Sequence, residues 1–254
     1  MGDFSARVDV RHGSPDELAA RFNAMAERIE QLVRSRDELV QAVSHELGSP
    51  LSRLRFHMEL LAHQPDEQRA RRLDAMTREL DALDELVAEL LSYVQSDDLQ
   101  LDRQRFDPAR GLTDLAELCR LDAPVEEAAE VELSLSSDAV VFADQRLFQR
   151  AIENLLRNAV HHARSRVLLE LTQDGQHVHA VVHDDGPGIP EGQREKVLTP
   201  FFRLGADRDR KTGGVGLGLA IVNRIIQRHD GRLAIGSSPL GGAMVTTSWP
   251  KPRR

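Results

Sequence analysis

Residues 39–61 read LVQAVSHELGSPLSRLRFHMELL, and the spacing of their apolar side chains predicts the architecture of the N-terminal part of the chain. The apolar positions follow one another at steps of three or four, which places them on one stripe of an α-helix. A stripe this narrow is typical of the seam of a coiled coil or helical bundle. The seam positions are Leu39, Val43, Leu47, Leu51, Leu54, Met58 and Leu61.

The same spacing extends on both sides of this stretch and predicts two long helices. The steps between Leu39 and Leu51 are all of four, which locally unwinds a left-handed supercoil. Two antiparallel helices cannot bury both stripes in one copy, so we predict that two copies form a dimeric four-helix bundle. The upstream seam positions are Phe22, Met25, Ile29 and Leu32, with Arg36 as an interruption; those of the second helix, which begins near Pro65-Asp66, are Leu73, Met76, Leu80, Leu83, Val87, Leu90 and Val94.

Beyond Asp97 the helical seam stops. Shorter stretches follow, some with the apolar spacing of a helix and others with the alternation of a strand. Strands and helices do not alternate strictly, so we predict an α+β sandwich in which one mixed sheet carries helices on one face. Residues 205–213 show no apolar periodicity, which predicts a loop. The predicted helices are 111–121, 145–162 and 217–228, and the predicted strands are 131–135, 140–142, 167–171, 178–182, 233–235 and 243–249.

The composition excludes several classes of function. The 254 residues carry a formal net charge of −8, which disfavours nucleic-acid binding because phosphate backbones attract clustered Lys and Arg. Cys119 is the one cysteine and has no Cys or His neighbour at metal-ligand spacing, so we interpret it as a core thiol. No apolar run approaches the roughly 18 residues that span a bilayer, and no signal segment opens the chain, so we expect this stretch to be cytoplasmic and soluble.

A histidine on the first helix is a candidate nucleophile. His45 lies about 200° of rotation from the seam position Val43, so its imidazole is predicted to face solvent. Pro50 removes a backbone hydrogen bond, and Gly48 makes the backbone easier to bend. Together they predict a bend of the helix beside the histidine. An exposed helical histidine is usually only a solvated side chain, and spacing does not place Glu46 against its ring, so both interpretations stay open here.

Two asparagines interrupt the apolar helix predicted at 145–162. Asn154 and Asn158 are four residues apart and share one helix face, where their amide oxygens could bind a hard cation such as Mg²⁺ together with phosphates. Asn pairs on helices are often only surface polar residues. Here their neighbours Ile152, Leu155 and Leu156 are apolar, which favours a functional reason.

The stretch VHAVVHDDGPGIP at 178–190 joins a strand to a glycine-rich turn. Period-two alternation places the Asp184 carboxylate on the core side, where it needs a donor such as the amino group of adenine. Gly186 and Gly188 would let a ring approach the backbone, although Asp-Gly pairs are also common in ordinary turns. The histidines of the opposite face, interpreted as a solvated strand surface rather than a metal site, are His177, His179 and His183.

Glycines between 213 and 218 lead into the last predicted helix. Free backbone N–H groups and the positive end of the helix dipole make such a start a phosphate site. The spacing fits neither a P-loop, which requires a following Lys-Ser or Lys-Thr, nor the dinucleotide-binding glycine pattern.

Taken together and in this order, these motifs resemble those of the sensor histidine kinases of bacterial two-component systems. Ser44-His45-Glu46-Leu47 resembles the phosphoacceptor box of the dimerisation domain. The asparagine pair, 184–188 and 214–218 resemble the nucleotide boxes of the ATP-lid (GHKL) kinase fold, and Pro200-Phe201-Phe202-Arg203 resembles the phenylalanine box. The resemblance implies four segments: a partial HAMP linker and signalling helix (1–35), a dimerisation and histidine phosphotransfer domain (36–97), a hinge (98–102) and a catalytic ATP-binding domain (103–254).

The resemblance implies an ATP-dependent protein-histidine kinase that works as a homodimer. His45 would accept the γ-phosphoryl group of ATP, Glu46 would be the general base, and Mg²⁺ would be held with ATP by Asn154 and Asn158. A response-regulator receiver domain would then take the group onto its own aspartate. The implied nucleotide-binding residues are Asn154, Asn158, His161, Asp184, Gly186, Gly188, Arg203, Lys211, Thr212, Gly214, Gly216, Leu217 and Gly218.

The sequence departs from the family pattern at two positions beside the histidine. Gly48 stands where a larger, commonly basic residue is more frequent, and Ser49 stands where the family commonly has Thr or Asn. Ser49 occupies the position that the family uses to orient water for dephosphorylating the regulator, and a serine keeps the hydroxyl. Phosphatase activity toward the regulator is therefore a further expectation. Because a HAMP linker usually follows a membrane helix, the full-length parent is expected in the bacterial inner membrane.

Two alternatives belong to other classes. One is an ATPase of the same nucleotide fold that never touches histidine, which the His-Glu pair on a helical bundle disfavours. The other is a non-enzymatic dimeric signalling module, which the retained amides, Asp184 and the glycines disfavour.

Overall fold

The computed structural model describes residues 16–61, 66–98, 100–122, 129–136, 138–204 and 215–252. The chain divides into two compact units, Met1–Asp84 and Glu85–Arg254. Residues 1–15 of the predicted HAMP linker lie outside the described ranges, and the predicted segment boundaries stay predictions. None of the helices within these ranges is long and apolar enough to cross a membrane.

The N-terminal unit is a helical hairpin, as predicted. Helix α1 (Asp16–Leu61) continues through Pro50, and helix α2 (Asp66–Asp98) contributes its residues up to Asp84. Among the described residues, Arg53 contacts Glu79 across the hairpin, and Arg72 Nη1 lies 3.3 Å from His57 Nδ1. In the single chain, several predicted seam residues are more than half exposed, namely Leu51, Met58, Leu73 and Leu80.

The C-terminal unit is an α+β sandwich, which confirms the predicted fold class. Its five-stranded sheet has the order β2-β4-β5-β7-β6, in which β2 and β4 are parallel and the other pairs are antiparallel. The elements are β1 (Arg103–Phe106), α3 (Ala109–Asp122), β2 (Glu130–Leu135), β3 (Val141–Asp144), α4 (Gln145–His162), β4 (Arg166–Gln173), β5 (His177–Asp184), α5 (Gly218–Arg228), β6 (Arg232–Ser237) and β7 (Ala243–Pro250).

Helices α3, α4 and α5 pack on one face of this sheet. Along β4 and β5 the residues of that face are buried while most of their neighbours on the other face are not, because successive side chains of a strand point to opposite sides. Trp249 is fully buried there, with its ring 4.7 Å from that of Phe148. Its indole N–H donates to Thr247 Oγ1 at 3.1 Å, so the buried polar atom is satisfied.

The expectation of one sheet was wrong. Strands β1 and β3 form a second, two-stranded antiparallel sheet, in which Arg103 pairs with Asp144 and Phe106 with Val141. The sequence RQRF at 103–106 carries too little apolar alternation to predict a strand. It becomes one because β3 offers a backbone edge, which is a tertiary rather than a local cause.

The interpretation of the strand histidines as a solvated surface was wrong for His183. The residue is buried, at 5% exposure, and its Nε2 lies 3.0 Å from Glu170 Oε2 on the neighbouring strand. His179 Nε2 lies 3.0 Å from Asp174 Oδ2, so it too has a carboxylate partner. These histidines take part in pairs that stabilise the β4–β5 hairpin.

Candidate active site

The candidate phosphoacceptor is exposed on α1. The His45 side chain is 75% exposed, and its Nδ1 lies 3.5 Å from Glu46 Oε1. This separation is longer than an ordinary N–H···O hydrogen bond, so the contact is weak as it stands. A proton on Nδ1 facing the carboxylate would leave the lone pair of Nε2 directed to solvent, which is the arrangement that a nucleophilic imidazole needs.

One turn further along α1, the Ser49 hydroxyl is held by an arginine that the sequence reasoning did not single out. Arg53 Nη1 donates to Ser49 Oγ at 2.7 Å. The same guanidinium donates to both oxygens of Glu79 on α2, from Nε at 2.6 Å and from Nη2 at 2.7 Å. The spacing of Ser49 and Arg53 could have suggested their contact. Glu79 could not be found in this way because it is 26 residues from Arg53 in the chain.

The first predicted nucleotide element is α4, whose start is set by Asp144. The Asp144 side chain accepts from the backbone N–H groups of Arg146 and Leu147, which is the N-cap arrangement. Further along, Asn154 Nδ2 donates to the carbonyl of Arg150 at 2.8 Å, which fixes the amide and leaves its Oδ1 for another partner. Asn158 lies one turn on, half-buried, on the same helix face.

Asn154 meets the start of α5. Its Oδ1 lies 3.5 Å from the position that a side-chain carbon on Gly218 would occupy. The N-cap residue of α5 is Leu217, and among the described residues no side chain caps this helix start, so its first N–H groups are suited to an anion. The structure thereby brings together the asparagine helix and the glycine-led helix that the sequence predicted to share a nucleotide.

Asp184 ends β5 almost buried, at 5% exposure. Its Oδ1 accepts from the backbone N–H of Gly186 at 2.8 Å and from that of Ala243 at 3.0 Å. Within the described ranges both hydrogen bonds end on Oδ1, so Oδ2 is the oxygen left for a ligand donor. The carboxylate is oriented by the protein's own backbone before any ligand binds.

The glycines after Asp184 are also required by the protein's own backbone. A side-chain carbon at Gly186 would lie 2.2 Å from the His162 carbonyl oxygen, so this glycine lets the end of α4 pack against the turn. At Gly188 the backbone φ of +73° is in the left-handed region, where glycine is favoured. Backbone approach and the turn are thus sufficient to require both glycines, and their role in binding a nucleotide stays a prediction.

His162 is a neighbour of this site that the sequence reasoning missed in favour of His161. Both residues are exposed, and their rings are 4.8 Å apart. Partial loss of hydration around the ring lowers the pKa of His162, and the positive charges of His161 and Arg203 act in the same direction, while the Asp184 carboxylate opposes them. The end of α4 therefore brings His162 into electrostatic reach of Asp184 and Arg203.

Phe201 and Gly216 meet in a tight backbone contact. Phe201 has a φ of +63° and its N–H donates to the Gly216 carbonyl at 3.0 Å. Gly216 has a φ of +80°, and a side-chain carbon there would lie 3.0 Å from the Phe201 carbonyl carbon, so only glycine fits.

The Leu217 side chain is fully buried in the core, which leaves only its backbone for a nucleotide. The predicted residues Lys211, Thr212 and Gly214 lie outside the described ranges.

Two family models match the chain. Residues 143–253 match the model described as "Histidine kinase-, DNA gyrase B-, and HSP90-like ATPase". Residues 35–99 match the model described as "His Kinase A (phospho-acceptor) domain". The second match contains His45, Glu46 and Ser49, and the first contains Asn154, Asp184 and the remaining candidate nucleotide residues.

Curated relatives and solved structures agree with these matches. The sensor protein RstB of Escherichia coli (strain K12) is 36% identical over 250 residues, which are 98% of this chain and 57% of RstB. The sensor histidine kinase CpxA of the same strain is 30% identical over 261 residues, covering 100% of this chain and 56% of CpxA. Full-length ShkA, solved in complex with AMPPNP, has a TM-score of 0.60 and 27% identity over 87% of this chain and 45% of ShkA. The chain spans about half the length of the curated relatives it matches.

Proposed function

Since the chain belongs to the sensor histidine kinases of bacterial two-component systems, we propose that it phosphorylates His45 from Mg-ATP and passes the phosphoryl group to an aspartate of a response regulator. The observation that carries this proposal is the 75% exposure of the His45 side chain beside Glu46, in a chain that also contains a nucleotide-binding fold. A buried imidazole could not be reached by a nucleotide. An exposed one without that fold would have no phosphoryl donor.

The transfer to His45 needs few groups. Nε2 attacks the γ-phosphorus, the bond from that phosphorus to the β–γ bridging oxygen breaks, and ADP leaves with the electron pair. Glu46 orients the ring through the Nδ1 proton and, as general base, accepts that proton when the ring becomes positively charged. The rest of the catalysis is positioning and neutralisation of phosphate charge.

The nucleotide is proposed to lie between α4, the end of β5 and the start of α5. Asp184 Oδ2 accepts from the 6-amino group of adenine, and the N-terminus of α5 faces the phosphates. Asn154 suits a Mg²⁺ ion because its Nδ2 is already engaged and its oxygen is not needed for that bond. When bound, the ion neutralises phosphate charge; Asn154 and Asn158 would hold it. The other proposed nucleotide residues are His161, Gly186, Gly188, Arg203, Lys211, Thr212, Gly214, Gly216, Leu217 and Gly218.

Membership of the family supports a proposal for the partners and the location. We propose a second copy of the chain as the dimer partner and a receiver domain as the phosphoryl acceptor. We also propose that the full-length protein lies in the bacterial inner membrane, with residues 1–35 as the end of a HAMP linker. The relatives carry names such as sensor protein and are nearly twice as long as this chain, which supports an upstream sensor.

The test is phosphorylation of the chain with γ-labelled Mg-ATP. We expect an acid-labile, base-stable label, which is the behaviour of a phosphoramidate rather than a phosphoester, and we expect His45→Gln to abolish it. His57→Gln is the matched control, because it changes another histidine of α1 and should keep the label. A label that persists in His45→Gln contradicts the assignment. ATP hydrolysis without labelling would favour the ATPase alternative.

A further inference from the structure

An aspartate, a histidine and a serine are linked on the five-stranded sheet of the C-terminal unit. Asp174 lies in the turn between β4 and β5, His179 lies on β5 and Ser248 lies on β7. His179 Nε2 is 3.0 Å from Asp174 Oδ2, and its Nδ1 is 2.9 Å from Ser248 Oγ. Both separations are ordinary hydrogen-bond lengths. One imidazole therefore connects a carboxylate to a hydroxyl.

This group is separate from the candidate nucleotide residues. His179 is five residues before Asp184 on β5, which is about 16 Å along a strand. Odd-numbered and even-numbered residues of a strand point to opposite faces, so the two side chains leave different sides of the sheet. The helices pack on the side of Asp184. The imidazole and the serine belong to the other side.

The sheet register brings the histidine and the serine together. His179 is paired with Ser248 across β5 and β7. Directly opposite residues of an antiparallel pair leave the same face with their Cβ atoms about 5 Å apart. The His179 side chain is 25% exposed and Ser248 is half-buried. A small molecule in solution can therefore reach both.

Asp174 is oriented by the backbone of its own turn. Its Oδ1 accepts from the N–H groups of Gln176 and His177, each at 2.7 Å, which leaves Oδ2 for His179. These two N–H groups, and after them the His179 ring, hold the pKa of Asp174 well below its usual range. The carboxylate is therefore ionised at neutral pH.

An ionised carboxylate decides which ring nitrogen carries the proton. It can only accept, so His179 Nε2 is the protonated nitrogen, and in the neutral ring Nδ1 keeps its lone pair. The contact at Nδ1 then needs a donor, which is the O–H of Ser248. A hydroxyl that donates to an imidazole held by a third group has the geometry of an activated nucleophile. Compared with the usual serine triad, the two ring nitrogens have exchanged roles, which leaves the order of proton transfers unchanged.

An arginine lies next to the serine on the neighbouring strand. Arg232 is exposed and is paired with Ser248 in the β6–β7 register, so the two side chains leave the same face. When a hydroxyl attacks an ester, negative charge develops on the carbonyl oxygen. A guanidinium this close to the serine is suited to stabilise that charge.

We propose that Ser248, activated by His179, is a catalytic nucleophile toward small activated carboxylic esters, and that Asp174 is the residue that positions His179. The serine lies on an outer sheet face, which suits small esters that need no deep cleft. This activity needs neither ATP nor His45.

The reaction has two steps. In the first, Ser248 Oγ attacks the carbonyl carbon and His179 Nδ1 takes the hydroxyl proton. The bond from that carbon to the alkoxy oxygen breaks, and the leaving alcohol takes the electron pair and the proton held by His179. In the second, water gives a proton to Nδ1 and attacks the acyl-serine. The carboxylic acid leaves, and Oγ recovers its electron pair and the proton.

The direct test is labelling of the 254-residue chain with a fluorophosphonate probe, with the labelled residue located by peptide mass spectrometry. We expect the label on Ser248. His179→Gln should slow labelling about a hundredfold, because the general base is lost. His177→Gln is the matched control, two residues earlier on the same face of β5, and should label at the wild-type rate. A wild-type chain that takes no label on Ser248, or a His179→Gln chain that labels equally fast, overturns the inference.

Hydrolysis of p-nitrophenyl acetate measures turnover. Exposed histidines also cleave this ester slowly, so the activity of the site is the difference between the wild type and Ser248→Ala. We expect His179→Gln to fall to the level of Ser248→Ala. Equal rates in the wild type and Ser248→Ala would contradict a catalytic serine, whether or not the other variants fold.

The role of Asp174 has its own readout. Asparagine can still accept from the two backbone N–H groups of the turn, but it carries no charge to hold the proton on His179 Nε2. The ¹⁵N chemical shifts of the His179 ring should show the Nε2–H tautomer in the wild type and a mixture in Asp174→Asn, with slower labelling of Ser248. Unchanged ring shifts together with unchanged labelling would reject the positioning role. No nucleotide is used in these experiments, so their result is independent of the proposed kinase function.

Discussion

The Asp184 carboxylate has two oxygens with different tasks. Oδ1 accepts hydrogen bonds from the N–H groups of Gly186 and Ala243. Within the described ranges no hydrogen bond ends on Oδ2. Because the residue is only 5% exposed, a ligand that covers Oδ2 must supply a donor in place of the water that this oxygen loses. The 6-amino group of adenine is such a donor, which is why the residue is proposed to recognise the base.

Asp184→Asn tests this division of tasks. Asparagine keeps an oxygen for the two backbone N–H groups but replaces Oδ2 by an NH₂ group, which would face the adenine amino group donor to donor. We expect the dissociation constant for a non-hydrolysable ATP analogue to rise about tenfold or more, as for loss of a hydrogen bond to a charged group. Calorimetric titration measures it. Asp174→Asn is the control, since Asp174 also accepts backbone hydrogen bonds, from Gln176 and His177, in the turn before β5. Equal affinity in the wild type and Asp184→Asn would reject the adenine role.

Helices α4 and α5 are joined by a buried histidine. His229 follows α5, donates from Nδ1 to the Ile225 carbonyl at 2.8 Å, and accepts at Nε2 from the backbone N–H of Asp144 at 3.1 Å. Asp144 is the residue that caps α4. The neutral imidazole thus uses one nitrogen as donor and the other as acceptor. A second proton, on Nε2, would face the backbone N–H of Asp144 donor to donor.

This junction predicts a loss of stability in mild acid. Burial lowers the pKa of His229, and the charges of Arg103 and Arg228 add to this, against the opposing effects of Asp144 and the Ile225 carbonyl. The unfolded chain therefore binds the proton at higher pH than the folded one. The contribution of neutral His229 to the free energy of unfolding is complete above about pH 6.5. It is lost as the pH falls below that value, by up to about 1.4 kcal/mol per pH unit for one proton.

Urea unfolding followed by tryptophan fluorescence measures this effect. Trp249 is the one tryptophan of the sequence and its ring lies 5.3 Å from that of His229, so the signal reports the C-terminal unit. We expect the drop in unfolding free energy between pH 7.5 and 5.5 to shrink in His229→Gln and to persist in His161→Gln, whose histidine is exposed. Identical drops in all three proteins would contradict the assignment.

At the scale of the molecule, the hairpin leaves an apolar stripe uncovered in a single chain. Leu51, Met58, Leu73 and Leu80 are 52%, 60%, 54% and 52% exposed. They lie on the seams predicted from the sequence, and a continuous apolar stripe of this kind is stabilised by burial against another helix pair. We propose that a second copy of the chain supplies that pair.

Introducing charge on the stripe is expected to separate the copies. The mass of one chain is 28.4 kDa. Met58→Lys combined with Leu80→Lys should convert a species of twice that mass into a monomer, because a buried unpaired charge costs more than an apolar contact contributes. Light scattering coupled to size-exclusion chromatography measures the mass. Phe56→Lys is the control, since Phe56 is 58% exposed but lies off the seam. A wild-type chain that runs as a monomer at micromolar concentration would contradict the dimer.

Particular elements show how far sequence reasoning reached. Helix α4 begins and ends at the predicted residues, because Asp144 is a strong N-cap and the helix is amphipathic throughout. The resemblance to sensor histidine kinases and the α+β fold class are confirmed. The predicted roles of His45, Glu46, Ser49 and the nucleotide residues stay predictions, since an exposed ring or a favourable oxygen does not by itself demonstrate chemistry.

By itself, the sequence determined what depends on short spacing: the two long helices, the outward direction of His45 and the inward direction of Asp184. Periods of 3.6 and two act over a few residues, so they can be read without knowing what lies opposite. Only the tertiary structure decided the pairing of β1 with β3, the burial of His183 and the contact of Arg53 with Glu79. Each of these joins elements far apart in the chain or depends on what covers a surface, and the free energy of such contacts depends on where the rest of the chain has folded.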